Sequence, residues 1–260
     1  MKICIPSHKR SHLMTTIKQL PSTVRDKVTV YIYPDEIYDY RHFHVRVLPE
    51  GIRGIANKRH FILTDCQDPK LMILDDDLVF AARREDDPTK FRPCSMTTDI
   101  VNMLAAADRA LDRFAHGAIA GREGGNRDTN DYKYNTRAMR AHFFRADILN
   151  TRNEHLNGTK FMSDFDTTLN LLEDGYPNVL LNQWVTNQAG SNTEGGCSTT
   201  RSLEDLAEAA HLLKARHPRF VTVVKKTTKA AWGGGERTDV RVQWKKAYES
   251  CKEERHVTAP

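Results

Sequence analysis

The chain contains the run Leu71-Met72-Ile73-Leu74-Asp75-Asp76-Asp77, in which four apolar residues lead directly into three acids. These apolar residues, with Leu78-Val79-Phe80 after the acids, predict a short buried strand that ends in a cluster of carboxylates. Two carboxylates about 6 Å apart repel each other by roughly 3 kcal/mol at an effective dielectric near 20. The cluster therefore needs a cationic partner, and a divalent ion shared with phosphate oxygens is a common one. A polar loop or a helix cap is the alternative.

Strand and helix patterns alternate through the first 77 residues. The predicted strands and helices are, in order, Ile3 to Ile5, Arg10 to Gln19 (helix), Val28 to Tyr33, Val45 to Leu48, Ile52 to Leu63 (helix) and Leu71 to Leu74. This alternation predicts an α/β fold with a mostly parallel central sheet flanked by helices. Ligands bind such sheets beyond the carboxyl ends of the strands, where Pro6-Ser7 and the three acids would lie.

The remaining two thirds of the chain show fewer clear elements. Helices are predicted at Ser95 to Phe114, Ser163 to Glu173 and Leu203 to Ala215, strands at Val179 to Leu181 and Phe220 to Val224, and a long loop at Gly121 to Arg137. Loops of that length tend to be functional or mobile.

The composition excludes several protein classes. The 260 residues are 39% hydrophobic and 28% charged, which is ordinary for a globular protein. No apolar run approaches the roughly 20 residues that cross a bilayer, and the N-terminus lacks the pattern of a signal peptide. Five scattered cysteines, an odd number, favour neither a disulfide framework nor a zinc cluster. We therefore expect a cytoplasmic protein with no membrane partner and no obligate protein partner.

The net charge of +5 lies in the last 60 residues. Residues 201–260 hold 13 Lys or Arg and 8 Asp or Glu, so the first 200 residues hold the other 26 of each sign. This division predicts a domain over 1–200, with halves 1–80 and 81–200, and a basic helix and strand extension over 201–260 packed on it. The basic block suits a phosphate-rich partner, although a solvated basic face explains it equally well.

Four pieces of sequence follow one another in a recognisable order. They are Ile5-Pro6-Ser7-His8, Gly54-Ile55-Ala56-Asn57-Lys58-Arg59, Leu74-Asp75-Asp76-Asp77 and Ser163-Asp164-Phe165-Asp166. Together they resemble the GT-A class of nucleotide-sugar glycosyltransferases, which have a Rossmann-like fold, over roughly residues 2–200. The acids after Leu74 are similar to the DxD motif of that class, and Asp164 to Tyr176 is similar to its acidic helix start.

The resemblance implies a UDP-sugar donor and a divalent metal ion, Mn²⁺ or Mg²⁺. It assigns the metal to Asp75 and Asp77. It assigns the donor to Pro6, Ser7, His8, Arg10, Arg53, Asn57, Lys58, Arg59, Asp75 and Asp76. A divalent metal stabilises the charge that develops on a leaving diphosphate, and arginines suit bidentate contact with phosphate. For Arg53, Lys58 and Arg59, a solvated helix face is the alternative.

The same resemblance places the general base at Asp164, with Asp166 beside it as a second catalytic acid. A carboxylate base opposite the leaving group implies direct displacement with inversion. Alternatively, both acids only stabilise a helix N-terminus. The class often adds a late histidine to the metal, and three histidines are candidates by position: His155, His211 and His217. The segment from Gly190 to Ser198 is either a loop that closes over the donor or a turn.

The distal half resembles the phage-type TET-associated glycosyltransferases. The matching pieces are Glu194-Gly195-Gly196-Cys197-Ser198-Thr199-Thr200-Arg201, His217-Pro218-Arg219-Phe220, Trp232 and Gln243-Trp244-Lys245. This resemblance implies that the acceptor is a hydroxymethylated base in DNA, such as 5-hydroxymethylcytosine, swung out of the helix. If the protein is phage-encoded, it implies that the protein works in the host cytoplasm. The candidate DNA-binding residues are Arg127, Lys133, Arg137, Lys225, Lys226 and Lys229.

Three other functions remain open from the sequence. The same chemistry could act on a polysaccharide, lipid or protein acceptor. The acids could instead serve a metal-dependent phosphohydrolase or nuclease, and the chain could be a nucleic-acid-binding module without catalysis.

Overall fold

The computed structural model of the chain describes residues 1–125, 128–150, 158–188, 202–228 and 235–257. Its strands are β1 (Lys2–Pro6), β2 (Val28–Ile32), β3 (Val45–Val47), β4 (Lys70–Leu74), β5 (Leu78–Arg83), β6 (Phe91–Pro93), β7 (His116–Gly121), β8 (Tyr132–Tyr134), β9 (Ala141–Arg145), β10 (Asn178–Gln188), β11 (Val221–Thr228) and β12 (Gly235–Val242). Its helices are α1 (Thr15–Gln19), α2 (Ser22–Arg25), α3 (Ile55–Asp65), α4 (Thr97–Ala110), α5 (Arg122–Gly125), α6 (Ala146–Asn150), α7 (Ser163–Glu173), α8 (Leu203–Arg216) and α9 (Trp244–Val257), with a 3-10 turn at Pro34–Glu36.

Within the described residues, a 10-stranded sheet has the order β3-β2-β1-β4-β9-β7-β10-β5-β6, with β8 paired to β10. Strand β1 is parallel to β2 and β4, β2 is parallel to β3, and β7 is parallel to β10. Strand β9 is antiparallel to both β4 and β7, which therefore share one direction. In this sheet β5, β8 and β9 oppose the direction of the other strands. The predicted α/β fold with a mostly parallel sheet and flanking helices is confirmed.

Both faces of the sheet are buried at β4, the strand that leads to the acids. Met72 and Leu74 join one apolar cluster, which includes residues of α1 and α4. Leu71 and Ile73 join a second cluster, which includes residues of α3 and α6. Because side chains alternate across a strand, four consecutive apolar residues are what a strand covered on both faces requires. The prediction of a buried strand before the acids is confirmed.

The C-terminal elements pack against α7. Helices α8 and α9 and the β11–β12 hairpin share an apolar cluster with Phe165, Leu169 and Leu172 of α7. The hairpin is antiparallel, with Val221 opposite Val242 and Thr228 opposite Gly235. The division at residue 200 into a domain and an extension stays a prediction, but the described part of the extension packs on α7, whose first turn contains Asp164.

Two predicted elements differ from the structure. The segment from Gly121 to Arg137, predicted as a loop, contains α5 and the edge strand β8, which pairs with β10 from Val179 to Leu181. Helix α1 is only five residues long and begins at Thr15 rather than at Arg10. Both differences arise where contacts distant in sequence decide the backbone conformation.

Among the described residues, no helix combines the length and the apolar character that spanning a membrane requires. The described cysteines Cys4, Cys66, Cys94 and Cys251 carry free thiols.

Candidate active site at the acidic strand end

The three acids after β4 occupy distinct environments. The Asp76 carboxylate is buried and accepts hydrogen bonds from Ser7 Oγ and from Arg10 Nη1, the latter at 3.1 Å. Arg10 Nη1 also donates to Asp77 Oδ2 at 2.9 Å. On the other side of the strand end, Arg59 Nη2 donates to Asp75 Oδ1 at 2.5 Å. The acids are thus arranged around two guanidinium groups that the chain itself supplies.

Electrostatic strain nevertheless persists in this cluster. Burial raises the pKa of Asp76. Burial, together with the charges of Asp75 and Asp76, raises the pKa of Asp77 to about 6, although Arg10 opposes the rise. Three carboxylates face the guanidinium groups of Arg10 and Arg59, so the group keeps one net negative charge when all three acids are ionised. The repulsion expected from the sequence is therefore only partly offset by the arginines.

The residues at the end of β1 hold this cluster in place. Ser7 Oγ lies 2.7 Å from Tyr40 Oη, and the Arg10 backbone N–H donates to the same hydroxyl at 3.0 Å. Pro6, Ser7 and Arg10 are all buried. The structure therefore brings these residues, which the sequence predicts to bind the UDP-sugar, to the acids. The polar groups of Ser7 and Arg10 contact Asp76 directly.

Helix α3 sends two consecutive cations into the site. Lys58 is only 2% exposed, and its Nζ donates to the Ser7 carbonyl at 2.5 Å. Arg59, the next residue, reaches Asp75 as described above. A solvated helix face is therefore the wrong interpretation for Lys58 and Arg59. The physical reason is that α3 packs against the carboxyl ends of β1 and β4, where anionic and carbonyl oxygens gather.

Three residues that are predicted to bind the UDP-sugar surround the ring of Tyr33. Lys58 Nζ lies 3.9 Å and the Arg53 guanidinium carbon 4.9 Å from the ring centroid, and His8 meets the ring edge-on at 5.0 Å. Glu36 holds His8, with Nδ1 and Oε1 3.2 Å apart. Asn57 instead donates to the carbonyl of Arg53 at 2.9 Å on the exposed side of α3. The sequence analysis missed Tyr33 and Glu36, although Pro34 marked the end of this strand.

A small cavity lies between α3, the end of β4 and the start of α7. Asp164, Arg59 and His60 line it, together with Ala56, Leu63, Ile73, His142, Phe144, Ser163 and Thr167. Arg137 Nη2 lies 3.5 Å from Asp164 Oδ2, and the Asp164 side chain keeps 17% of its surface exposed. Since Arg59 both contacts Asp75 and lines this cavity, the structure brings Asp164 and the acidic strand end to the same site.

His142 of β9 is a cavity residue that the sequence analysis missed. It is 6% exposed, and its Nε2 has no hydrogen-bond partner among the described residues. Burial and the nearby charge of Arg59 hold its pKa well below the ordinary value, so the ring is neutral. No local signal marks this residue, because a lone histidine in a short strand resembles many structural histidines.

Asp166, the second predicted catalytic residue, does not line this cavity and lies in the protein interior. Its carboxylate has no exposed surface and accepts from Arg216 Nε at 2.7 Å and His217 Nε2 at 2.9 Å. His217 Nδ1 in turn lies 2.6 Å from Glu173 Oε1. Burial lowers the pKa of His217, but the two carboxylates outweigh burial and the pKa is raised. His217 is therefore an anchor between helices, and it does not serve as the late metal ligand considered from the sequence.

The predicted DNA-binding residues fall in two places. Lys133 on β8 is 3.6 Å from Asp128, while Arg137 lies 4.2 Å above the Phe165 ring, beside Asp164. Lys225 and Lys226 are exposed on β11, where Lys225 donates to Thr238 and Lys226 pairs with Asp239, both at 2.9 Å. The remaining predicted residues, Arg127, Lys229, His155, Trp232 and the segment Gly190 to Arg201, lie outside the described residues. His211 is exposed on α8.

No three His, Cys, Asp or Glu side chains are arranged to hold a metal ion by themselves anywhere in the described part of the chain. Any metal at the acids would therefore need ligands beyond the His, Cys, Asp and Glu side chains of the described residues.

Comparison with known proteins adds a family and a fold. Residues 1–196 match the family described as TET-Associated Glycosyltransferase. The Beta-glucosyl-HMC-alpha-glucosyl-transferase of Enterobacteria phage T6 is 21% identical over 218 residues, which are 78% of this chain and 76% of that protein.

Two solved structures are similar in fold. TarS 1–349 of S. aureus in complex with UDP-GlcNAc has a TM-score of 0.50 at 12% identity, over 84% of this chain and 67% of that one. Glucosyl-3-phosphoglycerate synthase of Mycobacterium tuberculosis in complex with Mn²⁺, UDP and glucosyl-3-phosphoglycerate has a TM-score of 0.50 at 11% identity, over 94% and 90% of the two chains.

Proposed function

Because this chain belongs to the TET-associated glycosyltransferase family, we propose that it transfers a sugar from a UDP-sugar to a hydroxymethylated base in DNA. The name of the phage T6 relative, which specifies glucosylated HMC, supports an acceptor of this kind. The two similar structures are complexes with UDP-GlcNAc and with UDP, which supports the donor. One observation of this chain carries the proposal: Arg59 contacts Asp75 at the strand end and also lines the cavity that contains Asp164.

The residues at the strand end fit a divalent metal. Asp75 and Asp77 would hold it, because their side chains keep 23% and 17% of their surface exposed, against 7% for Asp76. Mg²⁺ is often held by only one or two carboxylates together with substrate phosphates, which agrees with the absence of a third protein ligand among the described residues. The raised pKa of Asp77 also indicates a place where added positive charge would be favourable. When bound, the metal would stabilise the charge that appears on the leaving diphosphate.

The chain's own cations would position the donor around this centre. Arg59 lies at the acids with a side chain suited to bidentate phosphate contact, and buried Lys58 fixes the end of β1 through the Ser7 carbonyl. His8 and Arg53 contact the ring of Tyr33, and Asn57 donates to the Arg53 carbonyl on the exposed side of α3. We assign the UDP-sugar to the carboxyl ends of β1 and β4. Its binding site there is shaped by Pro6, Ser7 and Arg10.

Asp164 would act as the general base toward the acceptor hydroxyl. It is the catalytic candidate that keeps exposed surface, and Arg137 lies beside it at 3.5 Å. A single carboxylate base predicts displacement with inversion. Arg137 and Lys133 on this side, and Lys225 and Lys226 on the hairpin, would contact the DNA phosphates.

The test uses DNA duplexes that contain either 5-hydroxymethylcytosine or its glucosylated form. Each is incubated with a panel of UDP-sugars and Mn²⁺, and the nucleosides are then analysed by mass spectrometry. The proposal predicts a nucleoside heavier by one sugar residue, and no such product from the matched Asp164→Asn variant. The anomeric proton of the product, measured by NMR, checks inversion. The assigned acceptor would be refuted if sugar were transferred to a polysaccharide, lipid or protein while the hydroxymethylated DNA received none under the same conditions.

A further inference from the structure

A basic groove lies between the end of β8 and the junction of β12 with α9. Its lining includes Lys133 and Asn135 from one side and Gln243, Trp244, Lys245 and Lys246 from the other. None of the described residues that line it is acidic. The groove joins a segment of the family-matched region to a segment that lies beyond residue 196.

The charges of this groove are not explained by the fold alone. Lys245 and Lys246 are exposed in the first turn of α9, which contains no acid. Cations there oppose the helix dipole, which favours negative charge at that end. Lys133 is held by Asp128 only at 3.6 Å, with 48% of its side chain exposed. Three ammonium groups are therefore collected at one concave surface without acidic residues in its lining.

A continuous set of contacts leads from this groove to the cavity of Asp164. The ring of Trp244 lies 5.5 Å from the ring of Phe165, and the guanidinium of Arg137 lies 4.2 Å above that same Phe165 ring. Arg137 reaches Asp164 at 3.5 Å. Three side chains, Trp244, Phe165 and Arg137, therefore connect the groove to the proposed general base.

We propose that this groove binds the phosphodiester backbone of the DNA strand that carries the target base. Lys133, Lys245 and Lys246 contact phosphates, and Trp244 forms the wall on the side of Phe165. The inference rests on the proposed function, because it names the surface by which the acceptor reaches Asp164. Charge complementarity favours a polyanion, and the path to Arg137 favours one whose reactive group projects from its backbone.

The test removes the groove charges and keeps the rest of the molecule. Lys245→Ala/Lys246→Ala and the triple variant with Lys133→Ala are compared with Lys27→Ala/Lys90→Ala, which removes two exposed lysines elsewhere. DNA affinity is measured by fluorescence anisotropy at several salt concentrations. Each lost phosphate contact should lower the slope of log affinity against log salt by about 1. It should weaken binding by about tenfold at about 0.1 M salt. The control pair should keep the wild-type slope.

Activity assays separate this inference from the proposed function. Wild-type protein and groove variants are given hydroxymethylated DNA or the free hydroxymethylated nucleoside, with the same donor. Loss of transfer to DNA with retained transfer to the nucleoside supports the groove. A triple variant that keeps both the wild-type salt slope and the wild-type sugar transfer to DNA would overturn the groove inference. The proposed function would then still stand. If the wild type modifies no DNA, the proposed function fails, and an unchanged salt slope in the triple variant would then overturn the groove inference as well.

Discussion

Replacing Asp77 by asparagine should make the protein more stable while it removes metal-dependent donor binding. The Asp77 pKa is raised to about 6 from an ordinary 3.8, mainly by burial and by its acidic neighbours. Protonation therefore favours the folded state, and the ionised carboxylate costs stability above about pH 6. This cost disappears as the pH falls through 6 toward 3.8. Asparagine mimics the protonated form at every pH.

The size of the effect follows from the pKa. Since each tenfold change in proton affinity corresponds to about 1.4 kcal/mol, a rise from 3.8 to about 6 limits the gain to about 3 kcal/mol. This limit already includes the contact with Arg10, which opposes the rise, and we expect a gain of about 1–3 kcal/mol. For a chain of this size, that gain raises the Tm by about 3–10 °C.

Thermal unfolding of wild-type and Asp77→Asn protein without metal, at about pH 8 and about pH 5, measures this difference. The Tm of the variant should exceed that of the wild type at the higher pH. The difference should fall to about half at the lower pH, because about pH 5 lies between the two pKa values. Adding Mn²⁺ and UDP should raise the Tm of the wild type but not the Tm of the Asp77→Asn variant. Asp87→Asn is the matched control, because Thr89 and Lys90 lower the pKa of Asp87 and its loss should not stabilise. A variant that is less stable at both pH values would show that the acids are not held under strain.

Three further predictions concern other parts of the molecule. Asp164→Asn should lower kcat by about 10²–10⁴-fold with unchanged donor affinity, and near-normal turnover would remove Asp164 as the base. His217→Gln should lower the Tm more at acidic than at alkaline pH. The raised pKa of His217 gives stability that is present below about pH 6.5 and is lost as the pH rises through the folded-state pKa. An equal loss of Tm at all pH values in thermal scans would contradict the buried ion pair. Lys225→Glu/Lys226→Glu should weaken DNA binding without altering donor hydrolysis, and equal affinity in a binding titration would exclude the hairpin from the interface.

Local sequence signals located the centre of the fold and one helix well. Helix α7 occupies Ser163–Glu173, the range that its apolar spacing predicts. Strand β4 and its acids were equally clear, because an uninterrupted apolar run next to charges has few alternative structures. These features depend on residues that are neighbours in the chain.

Features that depend on distant contacts were not readable from the sequence. Strand β9 inserts antiparallel between β4 and β7, and it supplies His142 to the cavity. Asp166 and Asp164 are two residues apart and look equivalent in sequence. Only the position of Arg216 and His217, some 50 residues later, assigns Asp166 to the interior. Side-chain direction on a helix fixes a face, but the partner of that face is a tertiary property.

The anchoring of α7 has a practical consequence for attempts to shorten this protein. A chain cut after residue 196 would keep the whole family-matched region, yet it would strip Asp166 of both its cations and uncover the apolar side of α7. Isolating a buried carboxylate in this way destabilises a protein by about 3–5 kcal/mol. The minimal active fragment must therefore include the C-terminal helices and hairpin, and the last 60 residues cannot be regarded as a removable DNA-binding tail.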